Sequence, residues 1–289
     1  MRSTMPAFAS PCCSFAASAS GVVLESEGLT ASAPGDGQSS SGTELFAGGV
    51  GEPLASLAAC NFGVFTGLGR VDVSGSTIAF ERCDQTIEVR SLTGTQDTRT
   101  VGSDVHAVRL AGHYLAWLEG SYRAGSAHGE ADLVVYDLDA DAEAYRLAAA
   151  LLPSQVSGFA LQDDGKVAFT FDPTAKDTNP RELVGWASPA EPRIHKLPLP
   201  RRYSYTLSFA RDRIVFARDS KKAERPLEET GVTDLHGHVR LIQRHASGLG
   251  IDFDGKNIAY TIHACHRYTV VRQPLSARKR PRTPACRKS

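Results

Sequence analysis

The sequence predicts an all-β protein assembled from repeats of a four-stranded antiparallel unit, and three observations predict it. Short alternations of apolar and polar residues recur along most of the 289 residues, and tight-turn residues interrupt them at regular places. The pattern in "VDVSGSTIAFERCDQTIEVRSL" (71–92) also returns near the end as "IDFDGKNIAYTIHACHRYTVVRQPL" (251–275). Alternation with period two suits a half-buried strand, because successive side chains point to opposite faces.

Taking "IAF" at Ile78 as an anchor, four later copies align beneath it: "VRLAGHYLAWLEG" (108–120), "FALQDDGKVAFTF" (159–171), "LSFARDRIVFARD" (207–219) and "IDFDGKNIAYTIH" (251–263). The anchors Ile78, Leu115, Val167, Ile214 and Ile258 are 37, 52, 47 and 44 residues apart. In each copy an alternating run enters a turn of Gly, Asp, Asn, Ser or Arg, and a second run leaves it. That is the grammar of a β-hairpin.

A third strand is predicted after each hairpin, at 86–92, 131–139, 182–188, 232–237 and 268–275. A fourth is predicted at 97–102, 142–148, 193–199 and 238–244. Four antiparallel strands every ~45 residues form the blade of a β-propeller, in which each blade buries a face on its neighbour. Residues 14–58 read as one more, weaker blade, its anchor Val22 lying 56 residues before Ile78. The expectation is six four-stranded blades, the first and last degenerate or incomplete, since the last lacks a fourth strand. A doubly wound α/β fold is disfavoured because no amphipathic helix separates the strand runs. The best helix candidate, "AEAYRLAAALL" (142–152), is read as strand plus connector. The organisation expected is an N-terminal extension (1–13), one propeller domain (14–275) and a basic disordered tail (276–289).

At this point the sequence resembles the TolB-type six-bladed β-propellers with PD40-like repeats. The resemblance rests on hairpins such as "DFDGKNIAY" and "LQDDGKVAF", and it covers residues 14–275. The chain departs from that pattern in lacking a uniform Pro or Trp signature. The group includes translocation-complex partners, peptidase-associated propellers, lyases and many bacterial proteins, so the resemblance implies a scaffold and not one activity. It also points to a periplasmic or extracellular place. The N-terminus "MRSTMPAFASPCCSFAASASG", however, is interrupted by Pro6, Ser10 and Pro11 and has no leucine-rich core, which argues against a signal peptide. The compartment stays open.

A formal net charge of zero conceals an asymmetry: residues 1–150 carry 18 acidic and 8 basic side chains, and residues 151–289 carry 14 and 24. The final "SARKRPRTPACRKS" holds six basic residues and no acid. It reads as a solvated tail, with an anionic polymer as the partner it would take if it binds one. No apolar run reaches the ~20 residues of a membrane-spanning helix.

Linear catalytic and cofactor motifs are absent: there is no GxSxG, HExxH, GxxxxGK[ST] or complete GxGxxG. No cofactor, resident metal or specific nucleic-acid motif is expected. "DFDGKN" (252–257) superficially resembles a calcium loop but lacks its distal bidentate Glu, and a hairpin turn explains it better.

Propeller topology gathers the long connections between second and third strands on one face, at 118–131, 170–181, 217–231 and 261–267. Function commonly sits on loops held by a rigid scaffold. These loops contribute the candidate binding residues Glu119, Tyr122, His128, Asp172, Asp177, Asp219, Lys221, His263 and His266. His263, Cys265 and His266, with His236, His238 and His245 nearby, are also rich in zinc-ligand types, but ordinary hydrogen-bonded histidines are the simpler reading. On a strand His236 and His238 would share a face, and a tight connection would turn His263 and His266 inward together.

Six cysteines without a CxxC pair signal neither a zinc ribbon nor a redox motif. Cys83 and Cys265 occupy the same slot after the second strand of their blades. A Cys60–Cys83 disulfide is predicted in an exported protein, and Cys265–Cys286 would pin the tail. A bridge closing ~20 residues contributes on the order of 3 kcal/mol. Reduced buried thiols are the alternative.

The functional expectation is a non-catalytic scaffold whose loop face binds a protein or envelope component. The alternative is a propeller enzyme of polysaccharide lyase or hydrolase type, its site assembled across blades from Asp172, Asp219, His263 and His266.

Overall fold

The computed structural model describes residues 15–18, 21–29, 41–47, 55–56, 71–82, 84–91, 98–120, 131–148, 156–171, 182–200, 202, 205–218, 229–244, 246–264 and 267–277. The chain divides into two compact units, Met1–Val108 and Arg109–Ser289. Among the described residues there are six antiparallel sheets, five of four strands and one of three, and every strand pairs only with its neighbours in sequence.

The first unit holds β1 (Phe15–Ser18), β2 (Gly21–Leu29), β3 (Ser41–Ala47) and β4 (Ala55–Ser56) in one sheet. Its second sheet is β5 (Val71–Ser74), β6 (Thr77–Glu81), β7 (Ile87–Ser91) and β8 (Arg99–Val101). The next sheet opens with β9 (Val105–Ala111), which spans the unit boundary, and continues with β10 (Tyr114–Glu119), β11 (Asp132–Asp137) and β12 (Ala142–Leu147). The fourth sheet is β13 (Val156–Leu161), β14 (Val167–Phe171), β15 (Leu183–Ala187) and β16 (His195–Lys196). The fifth is β17 (Tyr205–Ala210), β18 (Arg213–Arg218), β19 (Glu229–Asp234) and β20 (Val239–Arg244). The last sheet is β21 (Ala246–Phe253), β22 (Asn257–Ala264) and β23 (Arg267–Pro274).

The alternation and its failures have one cause. β5 alternates between buried and half-buried positions, whereas β14 is buried along its whole length. A second strand covered on both faces has no reason to alternate, so it reads as a continuous apolar run. Between the fourth and fifth sheets, Ala168, Val184, Leu197 and Leu199 pack with Tyr205, Phe209, Ile214 and Phe216. Between the fifth and last, Val215, Val232 and Ile242 pack with Phe253, Ile258, Tyr260 and Ile262. Phe216 is fully buried, which contributes roughly 2–3 kcal/mol relative to an exposed ring.

Turn chemistry sets the hairpins. The two-residue reversal at Arg211 and Asp212 has both residues at positive φ (50° and 54°), the geometry that matches strand twist. In the "DFDGKN" turn, Asp254 Oδ1 accepts the amides of Lys256 (2.8 Å) and Asn257 (2.5 Å), and Gly255 sits at φ +84°. The stretch is a capped hairpin. The same device recurs at Asp164, which accepts the Lys166 amide at 3.1 Å.

Three sequence expectations need correction. The third strand of the fifth sheet is Glu229–Asp234, three residues before the expected 232–237. There the Asp234 carboxylate takes the amides of His236 and His238, both at 3.0 Å, and turns the chain. His236 and His238 therefore sit around that turn and not side by side on a strand; their rings are 6.2 Å apart. The expected strand 193–199 shrinks to His195–Lys196, since Pro198 and Pro200 supply no amide to extend a ladder. The segment 142–147, by contrast, is strand as expected.

Candidate functional site

Within the second unit the tight turns of successive sheets meet at one end. Asp212, in the β17–β18 turn, accepts Lys166 Nζ (2.8 Å) and Gln162 Nε2 (3.4 Å) from the β13–β14 turn. A Cβ on Gly255 would lie 2.9 Å from Arg211, and one on Gly112 would lie 3.3 Å from the Cβ of Asp163. The connections from second to third strands thus leave from the opposite end, as propeller topology requires.

The bases of those connections are rows of charged strand ends. Glu119 ends β10 and stands directly across from Asp132, which opens β11. Arg146 on β12 binds both through Nη1, at 2.5 Å to Glu119 and 2.9 Å to Asp132. Its Nη2 reaches Glu143 at 2.8 Å. The hydrogen bonds that Arg146 donates to Glu143, and then to Asp132 and Glu119, outweigh partial burial and hold the guanidinium firmly protonated. One cation therefore neutralises a like-charge pair that would otherwise push β10 and β11 apart.

The next sheets carry a more buried version. Arg218 ends β18 and is only 7% exposed; its Nε and Nη2 bind Glu229 across the ladder at 2.8 and 2.7 Å. The guanidinium lies 5.2 Å from the centroid of Phe216. Glu182, 8% exposed, accepts the Tyr205 amide at 2.6 Å and so ties β15's entry to β17. Tyr205 donates its hydroxyl to the Pro200 carbonyl. Burial raises its pKa, with Arg218 offsetting part of the shift, so the phenol is a fixed neutral donor.

Of the predicted binding residues the structure places Glu119, and His263 by backbone alone. Tyr122, His128, Asp172, Asp177, Asp219, Lys221 and His266 lie outside the described residues, as do Cys60, Cys83, Cys265 and Cys286 and the tail from 278 onward. His263 corrects one expectation. It belongs to β22, paired with Tyr268, because the ladder runs on to Ala264 and Arg267 and leaves a connection of two residues. Arg146, Glu182, Tyr205, Arg218 and Glu229 were missed. Only Arg218 carried a signal, as the charge that closes the apolar second strand "IVFAR"; the other four become partners through pairing and packing. Among the described residues no group of three His, Cys, Asp or Glu side chains could hold a metal ion. Among them, too, no helix is long and apolar enough to cross a membrane.

No family model matches the chain, and no curated protein matches it by sequence. Solved structures do. The β-propeller domain of the Trilobed protease from Pyrococcus furiosus, which has an open velcro topology, is 10% identical with a TM-score of 0.57, over 90% of this chain and 81% of that one. Pyrococcus horikoshii acylaminoacyl peptidase is 10% identical with a TM-score of 0.61, over 90% of this chain and 44% of that one. TolB from Acinetobacter baumannii is 15% identical with a TM-score of 0.46, over 66% of this chain and 47% of that one. The protein has a β-propeller fold, and the first two likenesses carry that conclusion. The chain spans less than half the length of the acylaminoacyl peptidase it matches. Such identities define fold alone.

Proposed function

We propose that this chain is a non-catalytic propeller scaffold that presents the loops between second and third strands to a protein or envelope component. The observation that supports this reading is the construction of the loop bases. Glu119, Asp132 and Glu143 are engaged by Arg146, and Glu229 by Arg218. Charges committed to one another hold strand ends in register, which suits a rigid platform beneath variable loops. Convergent loops on such a platform are a binding surface by default.

The similarity to peptidases of which this chain covers 44% favours a second reading, a propeller that accompanies or forms part of an enzyme. In that reading Asp172, Asp219, His263 and His266 are the groups to substitute. The third reading is electrostatic capture of an anionic polymer by the tail, and it requires binding that falls steeply with salt.

The test is crosslinked affinity capture with three forms: the intact chain, a form with 120–131 and 219–228 replaced by Gly and Ser of equal length, and a form ending at Ala277. A protein held by the first and third but not the second supports the loop face. Retention by the loop-replaced form overturns it. Loss with the tail alone moves the function to electrostatics. Peptidase or polysaccharide-cleaving activity lost in Asp219→Asn moves it to catalysis.

A further inference from the structure

Away from the loop ends, a groove of about 1070 Å³ runs between β20 and β23, with Arg240, Leu241 and Ile242 on one wall and Gln273, Pro274 and Leu275 on the other. The fifth sheet ends in β20, whereas the last sheet stops at β23 among the described residues. A fourth strand of the last sheet would run along the outer edge of β23; the groove meets that edge at its end, at Gln273 and Pro274, while Val239 and Val270 lie beyond its lining.

Three features of this edge point to its occupant. Val270 on β23 is 75% exposed and Val239 on β20 is 41% exposed, the two large hydrophobic side chains left open among the described residues. The ionisable lining residues are Arg213, His238, Arg240 and Lys256, with no carboxylate among them. Asp234 partners Arg213 (3.6 Å) and His238 (2.9 Å), but among the described residues Arg240 donates to the Leu275 carbonyl and neither Arg240 nor Lys256 pairs with a carboxylate. Among the described residues, two cations without a carboxylate partner therefore flank an edge of β23 that no strand pairs with. A second copy of the chain fits poorly. Antiparallel pairing of two β23 strands about Thr269 and Val270 would set Arg267 against Arg272, and directly opposed like charges are unfavourable. Pro274 at the end of β23 also supplies no amide to a longer ladder.

We propose that β23 accepts an extended acidic segment of a partner protein as its fourth strand. Main-chain hydrogen bonds supply the pairing, Val239 and Val270 take apolar side chains, and Arg240 and Lys256 take carboxylates. This surface is separate from the loop face and does not depend on it.

The probe is a short capped peptide alternating Glu with Val and Thr, labelled for anisotropy and titrated into the full chain. Three comparison peptides carry Lys for Glu, N-methylated amides along one edge, or a scrambled order. Binding is expected for the acidic peptide alone, weakening with salt. It should fall about tenfold or more in Arg240→Glu/Lys256→Glu, and likewise in Val270→Asp, whose exposed position spares the fold. Loop-replaced protein should bind the peptide unchanged, so this test and that of the loop face fail separately. Equal binding of the N-methylated or scrambled peptide would reduce the groove to a charge patch and overturn the strand. Slow hydrogen exchange in the free protein at those β23 amides that point away from β22 would place a segment of the chain there already, and Val270-dependent self-association would place a second copy there. Either overturns the proposal.

Discussion

Phe216 lies directly across the β18–β19 ladder from Gly231, and its ring fills the space a side chain at 231 would need: a Cβ there would sit 2.5 Å from Phe216 Cζ. Phe169 and Gly185 repeat the pairing in the preceding sheet, with the ring 3.2 Å from that Cβ position. A ring laid on a glycine lets a fully buried second strand keep a large apolar group without displacing its neighbour. Gly231→Ala is therefore expected to cost about 1–3 kcal/mol through overpacking, with the loss largely recovered in Phe216→Leu/Gly231→Ala. Urea unfolding of the singles and the double closes that cycle.

Tyr145 on β12 reaches into the next sheet, donating its hydroxyl to the Gly165 carbonyl at 2.9 Å. Burial pushes its pKa far up, so it remains a donor at any pH the fold survives. Tyr145→Phe should destabilise by about 1 kcal/mol, the net worth of one hydrogen bond with its acceptor left buried. Equal urea midpoints for the two proteins would show that the contact between these sheets contributes nothing.

Arg146 separates Glu119 from Asp132 at the base of the β10–β11 loop. Arg146→Met should lower stability by about 1 kcal/mol at low ionic strength, less in molar salt, because the exposed part of the repulsion is screened. Adding Glu119→Gln should restore most of the loss. A salt-independent deficit would mean that packing of the arginine stem matters more than its charge.

Asp234 and Asp254 both titrate well below the ordinary carboxylate range. For Asp234 the leading cause is the His238 amide. At Asp254 some burial raises the pKa, but the Asn257 side chain and amide, the Lys256 amide and Arg272 outweigh it. A carboxylate whose pKa is depressed by folding adds stability above its unfolded pKa of ~3.9, and that stability is lost as pH falls through the folded value. Wild-type urea midpoints should therefore drop below about pH 4, and Asp254→Ala should lie lower at neutral pH and show a shallower drop. Parallel acid limbs for both proteins would exclude the turn carboxylate as the cause.

Much of the fold was legible because its signals are local. The turn at Asp254, Gly255 and Lys256 carries its own caps, and the runs at 77–81, 114–119, 167–171 and 213–218 announce second strands by composition. Even the weak first sheet emerged from alternation around Val22. Where reading failed, a side chain overrode the pattern: Asp234 ended a strand early, and Pro198 and Pro200 kept another short.

The candidate site was less legible. The charge of Glu119, Glu182 and Arg218 is evident in sequence, but its burial and its partners are not. Arg146 meets Glu119 across 27 positions, and Tyr205 meets Glu182 across 23. Alternation and turn chemistry act over a few residues, so sequence alone was enough for hairpins and for strand order within each sheet. Which strand ends face one another depends on how whole sheets stack and on the register their apolar faces impose. That is a long-range packing solution, and it appears only in the folded chain.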